Sequence, residues 1–345
     1  MQIDANALFN DPRLMLFGFD GQVARFVKMT RESYARSIFF DRRLQPADPQ
    51  FIQVPLEPLL DEAEKVRFDP PRLRFIHHFA HSGSTLLARA LDHPGNLVIR
   101  EPVHLRKLGI ARGSAPDSPA DSHFCKLLNL FLIMLGKRFG PDCPVIVKGN
   151  VPTSLLADMI ADADPGQPAI LLYLPLEDYC AAVLRTPNHR AWVEAVITEI
   201  DLSQDPNIGE ISSLGVAEKA AVLWFSMIKR FEGLLADYPE MKSLDANCFF
   251  KQPEDVLEVA NEFLGAGLTG EEARSIAKGP LFSTYSKNPT IAYDNAERIR
   301  QREETKAVHR EELEIARKWV EDRATEIAIP ERLSRPLSDV SQSLL

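Results

Sequence analysis

The chain has no cysteine framework. Its 345 residues include four cysteines, Cys125, Cys143, Cys180 and Cys248, widely spread and without a Cys-x-x-Cys pair. That spacing excludes a disulfide scaffold and a zinc ribbon, and it reads as the reduced thiols of an intracellular protein. A long apolar run is also missing. The most apolar stretch, Leu127 to Leu135, is interrupted by Asn129 and is about half of a membrane-spanning helix. Residues Met1 to Asn6 have neither the basic nor the apolar region of a secretion signal, so a cytoplasmic protein without a membrane partner is expected. Basic charge is in deficit: the formal net charge of −9 argues against nucleic acid as the main partner. A locally basic cleft is compatible with that total. No internal repeat is found.

What is present is alternation. Strand-like apolar runs at Leu73–Phe79, Leu97–Arg100, Val145–Lys148, Ile170–Leu174 and, more weakly, Lys242–Ala246 are separated by helical patterns at 85–92, 123–138, 152–162, 177–185 and 216–237. Such alternation predicts an α/β fold, a central parallel β-sheet with helices on both faces. Ligands in such sheets bind at the carboxyl ends of the strands. Residues 1–70 form an N-terminal accessory section with strands at Ala24–Met29 and Phe51–Val54, a helix at Arg31–Phe40, and an acidic helix start at Leu59. The Asp69-Pro70-Pro71 break ends it. Residues 71–290 form the ligand-binding domain, which closes with helices at Pro253 and Thr269 and a polar loop from Gly279 to Thr290. Residues 291–345 are a C-terminal helix and tail. That helix carries Ile299, Val308, Leu313, Ala316 and Val320, too sparse for deep burial, and the tail after Pro330 is expected to fray.

The densest signal lies where the first of these strands meets its helix. Leu73–Phe79 runs into Ala80-His81-Ser82-Gly83-Ser84-Thr85, and Leu86, Leu87, Ala90 and Leu91 then recur at helical spacing. Strand, small-residue turn and helix start make an anion cradle, from backbone N–H groups, the positive helix end and two hydroxyls. It is not the loop of nucleoside triphosphatases, because no lysine stands at or beside Gly83. An ATP-dependent kinase is disfavoured on the same ground. The alternative is a helix cap made by Ser82 or Ser84, with no ligand.

Ser82, Gly83, Ser84, Thr85, Leu86 and Leu87 resemble the 5′-phosphosulfate loop of the sulfotransferase family, where a basic residue precedes Ser-Gly-[Ser/Thr]-Thr; here His81 holds the basic place. Lys148 followed by Pro152 resembles the family's lysine segment. Ser243 to Asp245, Pro253 and Phe263-Leu264-Gly265 resemble its closing strand and helix. The resemblance spans about 72–290. It implies a three-layer P-loop-type fold and 3′-phosphoadenosine 5′-phosphosulfate as cofactor. It also implies transfer of a sulfuryl group to a hydroxyl or amine of a small-molecule or carbohydrate acceptor, with no metal.

Under that resemblance Ser82, Gly83, Ser84, Thr85 and Leu86 hold the 5′-phosphosulfate, Lys148 and His81 stabilise charge, and Glu101 is the base. Glu101 follows the second strand, so it belongs at the same sheet edge, and a partly dry pocket would tune its pKa upward. The alternative is an ion pair with Arg100 or Arg106 that only holds the loop. His77 and His78 point to opposite faces of their strand and make no common metal face. At Leu171–Arg185 the family's strand and helix are present without their 3′-phosphate ligands: Leu174 stands for the arginine and Ala182 for the serine. Arg185 or Lys287, with Arg190 a further candidate, is expected to substitute. A second reading follows from the same departure, a non-catalytic or altered-specificity nucleotide- or phosphate-binding protein.

Overall fold

Helix α1 (Ala5–Asn10) leads into an antiparallel meander of β1 (Leu14–Asp20), β2 (Val23–Lys28) and β3 (Asp48–Pro55), in a computed structural model that describes residues 5–66, 73–114, 120–202, 205, 208–324, 328–338 and 342–345. The expected Asp69-Pro70-Pro71 break lies outside the described residues. Strand β1 has no counterpart in the sequence reading. A register shift between Leu16 and Gly18 breaks the alternation that would have marked it. Between β2 and β3 lies α2 (Arg31–Arg36), capped by Thr30 and shorter than the helix expected to Phe40. The segment after it runs toward the central sheet, and α3 (Leu56–Ala63) follows β3.

The main sheet is built from β4 (Leu73–His78), α4 (Ser84–Ala90), β5 (Leu97–Arg100), α5 (Val103–Gly113), α6 (Ser122–Leu135), β6 (Val145–Lys148), α7 (Ala157–Ala163), β7 (Ala169–Tyr173), α8 (Leu176–Leu184), α9 (Pro187–Ile200), α10 (Val216–Asp237) and β8 (Met241–Asp245). Its five strands are all parallel in the order β5-β6-β4-β7-β8. All residues of β5, β6 and β7 are buried, as expected for strands covered by helices on both faces. This is the α/β architecture that the alternation implied. Strand β4 is central, so the loop leaving it sits in the middle of the carboxyl edge. The apolar core is continuous from Leu8 in α1 to Leu344. Among the described residues no helix is long and apolar enough to cross a membrane.

A short helical turn, Pro152–Leu156, packs against α5 so closely that Gly109 has no room for a side chain: an added Cβ would lie 2.1 Å from the Pro152 carbonyl oxygen. Gly109→Ala must therefore push the two segments apart. It is expected to cost about 1–3 kcal/mol, the range for overpacking, read as a lower denaturant midpoint. An unchanged midpoint would mean that the segments separate freely.

The C-terminal part departs from expectation. After α11 (Ala246–Lys251), α12 (Pro253–Leu264) and α13 (Gly270–Ala277), the polar loop holds a small hairpin of β9 (Thr284–Tyr285) and β10 (Asn288–Ala292). The single charged helix is in fact two, α14 (Asn295–Val308) and α15 (Arg310–Ala324), broken at His309. Leu313, Ala316, Trp319 and Val320 of α15 are buried, with Trp319 edge-on to Phe225 of α10 at 5.8 Å. Burial there needed only one narrow stripe, because α10 supplies the complementary surface. The tail is not frayed over its described residues. Ser243 N–H donates to Arg335 O at 3.0 Å, and Leu337 N–H donates to Ser243 O at 2.7 Å. Leu333, Leu337 and Leu344 are buried. The tail thus covers β8, whose outer edge would otherwise present unpaired backbone groups.

Candidate active site

The backbone of β4 stays paired through Phe79, whose N–H donates to Leu172 O at 3.1 Å, and then turns sharply. His81 and Gly83 both take left-handed conformations, with φ of +61° and +78°. Ser82 closes the turn by donating its hydroxyl to Phe79 O at 2.7 Å. Its side chain is therefore buried in the loop and does not line the cavity, which leaves the backbone N–H for the ligand role expected of Ser82. Gly83 occupies the cap position of α4, and no side chain caps it, so neither Ser82 nor Ser84 serves as the expected alternative cap. Ser84, Thr85 and Leu86 face the cavity, and the Thr85 hydroxyl is buried without a hydrogen-bond partner among the described residues. From α11 the Phe250 ring lies over Gly83, and the Arg298 guanidinium lies over that ring at 4.0 Å.

Strands β5 and β6 pair Arg100 with Lys148, which carries Glu101 to the same edge. Glu101 N–H donates to Lys148 O at 2.7 Å, with Glu101 held at φ +55°. The two side chains form an ion pair. The partners proposed for Glu101 from the sequence are engaged elsewhere. Arg100 is fully buried on Asp92 and on the carbonyls of Tyr34, Ala35 and Ser37, and Arg106 pairs with Glu199. The expected upward tuning of Glu101 is reversed. Burial pushes its pKa up, but the charge of Lys148 and the hydrogen bond from it outweigh that and hold it below the usual carboxylate range. Burial lowers Lys148 to about 8 in spite of its acidic partner.

Four nitrogen-bearing side chains meet beside the loop. The His81 ring lies 4.1 Å from that of His189 and edge-on to Trp192 at 5.8 Å. Burial, then the charges of Lys287 and Arg185, push the His81 pKa well below its ordinary value, so it is a neutral ring here and not a cation. Arg185 donates to Gln301 at 2.5 Å, and Lys287 reaches in from the turn between β9 and β10. Arg190 is no candidate for a ligand, because it is bound by Glu312 at 2.6 and 2.7 Å. His77 and His78 are buried and both lowered to about 3 by desolvation. His77 stacks on Phe75, and His78 lies between the carbonyls of Phe79 and Gly149.

These groups converge on one cavity of 1110 Å³. It is lined by His81, Gly83, Ser84, Thr85 and Leu86 from the loop, by Glu101 and Lys148 from the strand ends, and by Arg185 and Lys287. Leu174 and Ala182 also line it, presenting apolar surface. Sequence reasoning missed Phe39, Arg42 and Arg43, which come from the segment after α2, and Phe250 and Arg298 from beyond the sheet. It also missed His189 and Trp192 on α9, although Thr186 followed by Pro187 is a readable helix start.

No family profile matches this chain, and no curated protein sequence matches it. Among solved structures it is similar to the sulfotransferase domain from the curacin biosynthetic pathway, with a TM-score of 0.42 and 14% identity over 66% of this chain and 84% of that one. It is also similar to the sulfotransferase from Alicyclobacillus acidocaldarius, with a TM-score of 0.32 and 16% identity over 58% of this chain and 83% of that one. Likenesses at this level assign neither a reaction nor a ligand.

Proposed function

We propose that this chain is a sulfotransferase-like enzyme of the cytoplasm that moves a sulfuryl group from 3′-phosphoadenosine 5′-phosphosulfate to a hydroxyl or amine of a small-molecule or carbohydrate acceptor. The observation that carries this reading is the convergence, in one cavity, of the loop 81–86 with the Glu101–Lys148 pair. The loop suits a phosphosulfate: Gly83 at φ +78° turns the chain into the start of α4, and the buried Thr85 hydroxyl has no hydrogen-bond partner among the described residues. The donor, when bound, supplies a sulfuryl group on a phosphate that departs as the acceptor attacks in line. Lys148, on the cavity wall, would offer its ammonium to the negative charge that develops on the leaving phosphate. In this structure Glu101 and Lys148 neutralise each other. An anion at the loop competes for Lys148 and frees the Glu101 carboxylate, which then takes the acceptor's proton. The wide spacing of the four cysteines along the sequence supports a reducing compartment.

Catalysis on this scheme needs Glu101 ionised and Lys148 charged. With Lys148 lowered to about 8, kcat/KM should fall as pH rises through that value, since the ammonium is then lost. Lys148→Arg should move the falling limb upward, because a guanidinium keeps its charge. A limb unmoved in that variant would assign it to another group. The activity is tested by incubating the protein with 3′-phosphoadenosine 5′-phosphosulfate and a panel of phenols, alcohols, amines and saccharides, and measuring release of 3′,5′-bisphosphoadenosine. Donor binding with no release for any acceptor would overturn the reading. It would favour the binding-protein alternative, for which the apolar Leu174 and Ala182 speak.

A further inference from the structure

The four groups beside the loop come from separate elements: His81 from the loop, Arg185 from the end of α8, His189 from α9 and Lys287 from the hairpin turn. Such convergence is costly unless it serves a ligand, because none of the four has a carboxylate partner among the described residues. Lys287 has no ion-pair partner among the described residues, and the acid whose charge reaches it, Glu101, is held by Lys148. Arg185 is hydrogen-bonded to an uncharged glutamine. His189 is oriented by Nδ1–H donating to Ala182 O at 3.0 Å, which leaves Nε2 with its lone pair. The same bond sets His189 against the position where the sequence lacks a phosphate-binding serine. His78, Glu101, Lys148, Arg43 and Tyr285 are other titratable or charged groups whose fields reach this cluster.

We propose that His81, His189, Arg185 and Lys287 form a second anion subsite beside the loop, which seats a phosphate-class dianion and takes up a proton onto the histidine pair as it does so. The proposal rests on the reading above, where the dianion is the second phosphate of 3′,5′-bisphosphoadenosine. It supplies the grip that Leu174 and Ala182 do not. Without the dianion, burial and the neighbouring cations keep His81 and His189 uncharged at neutral pH. A dianion in contact reverses the balance and raises their pKa values. A group whose bound-state pKa is raised strengthens binding fully below its free-state pKa, and that gain is lost as pH rises through the bound-state pKa. Affinity should therefore fall with rising pH.

The test is calorimetric titration of the full chain in buffers of different ionisation enthalpy, with 3′,5′-bisphosphoadenosine, adenosine 5′-phosphate and inorganic pyrophosphate as probes. At about pH 7.5 the parent should take up roughly half a proton or more with the bisphosphate and less with the monophosphate. It should also prefer the bisphosphate by about tenfold or more. His189→Gln keeps an amide donor for Ala182 O, and it should lose most of the uptake. Arg185→Ala and Lys287→Ala should lose the preference. Equal proton uptake for the two nucleotides in the parent overturns the subsite without any variant, as does full uptake retained in both His81→Gln and His189→Gln. A bisphosphate preference without proton uptake overturns the subsite and leaves the sulfuryl-transfer reading standing. Proton-coupled binding of pyrophosphate, with more uptake for the bisphosphate than for the monophosphate but no preference in affinity between them, supports the subsite and overturns the sulfuryl donor.

Discussion

Gly83→Val is expected to abolish binding of anionic nucleotide at the loop, weakening 3′,5′-bisphosphoadenosine by about 100-fold or more, while the sheet stays folded. Two independent costs act at this position. Its φ of +78° is a conformation that a β-branched residue adopts only under strain. The new Cβ would also stand 2.5 Å from the Phe250 ring. That ring has little room to yield, since Arg298 lies over it at 4.0 Å and Phe249 sits 5.7 Å away. Relief must come from the loop, which moves the backbone N–H groups of residues 84–86 off their target. Combining Gly83→Val with Phe250→Ala separates the causes, because it removes the collision and leaves the backbone strain. Titration of each variant checks this, with circular dichroism to confirm folding. Affinity like the parent's in Gly83→Val would show that the loop is not the anion site.

Glu101→Gln should lower turnover by roughly 10²–10⁴-fold, the range for losing a positioned acid or base, with donor affinity held within a few-fold. The amide keeps the shape and backbone demands of the residue at φ +55°, so its chief loss is the negative charge. Without that charge Lys148 has no competing partner for the donor's anion, which favours binding. It also becomes a buried cation without its mate, so a lower melting temperature is expected in the unliganded protein, partly restored by ligand. The check is a pair of measurements on one preparation, single-turnover rate at saturating donor and donor affinity by calorimetry. Rate and affinity falling together would make Glu101 a structural partner of Lys148 and remove the base from the mechanism.

Much of the site was legible because its parts are written locally. Residues 82–86 form a turn and a helix start whose chemistry follows from neighbouring small and hydroxyl residues. Glu101 and Lys148 each end a short apolar run that reads as a strand, and Leu97–Arg100 and Val145–Lys148 have the same bounds in the structure. Arg185 and Lys287 line the cavity. Arg190 does not, since its partner Glu312 lies in a helix over a hundred residues away. Phe39, Phe250 and Arg298 carried no local signal, because each enters the cavity from an element whose own pattern reports only its packing.

The amino-acid sequence by itself determined the α/β alternation and the loop. Both arise from short-range physics: continuous apolar runs mark strands buried on two faces, and glycine between hydroxyls marks a turn that leaves backbone donors open. Only the tertiary structure decided the strand order, and with it that Glu101 stands beside Lys148. It also decided the sign of the pKa shift at Glu101, the neutrality of His81 and the covering of Gly83 by Phe250. Each of these is a balance of burial against charges or side chains distant in sequence, and such a balance has no value until the fold brings its members within a few ångströms.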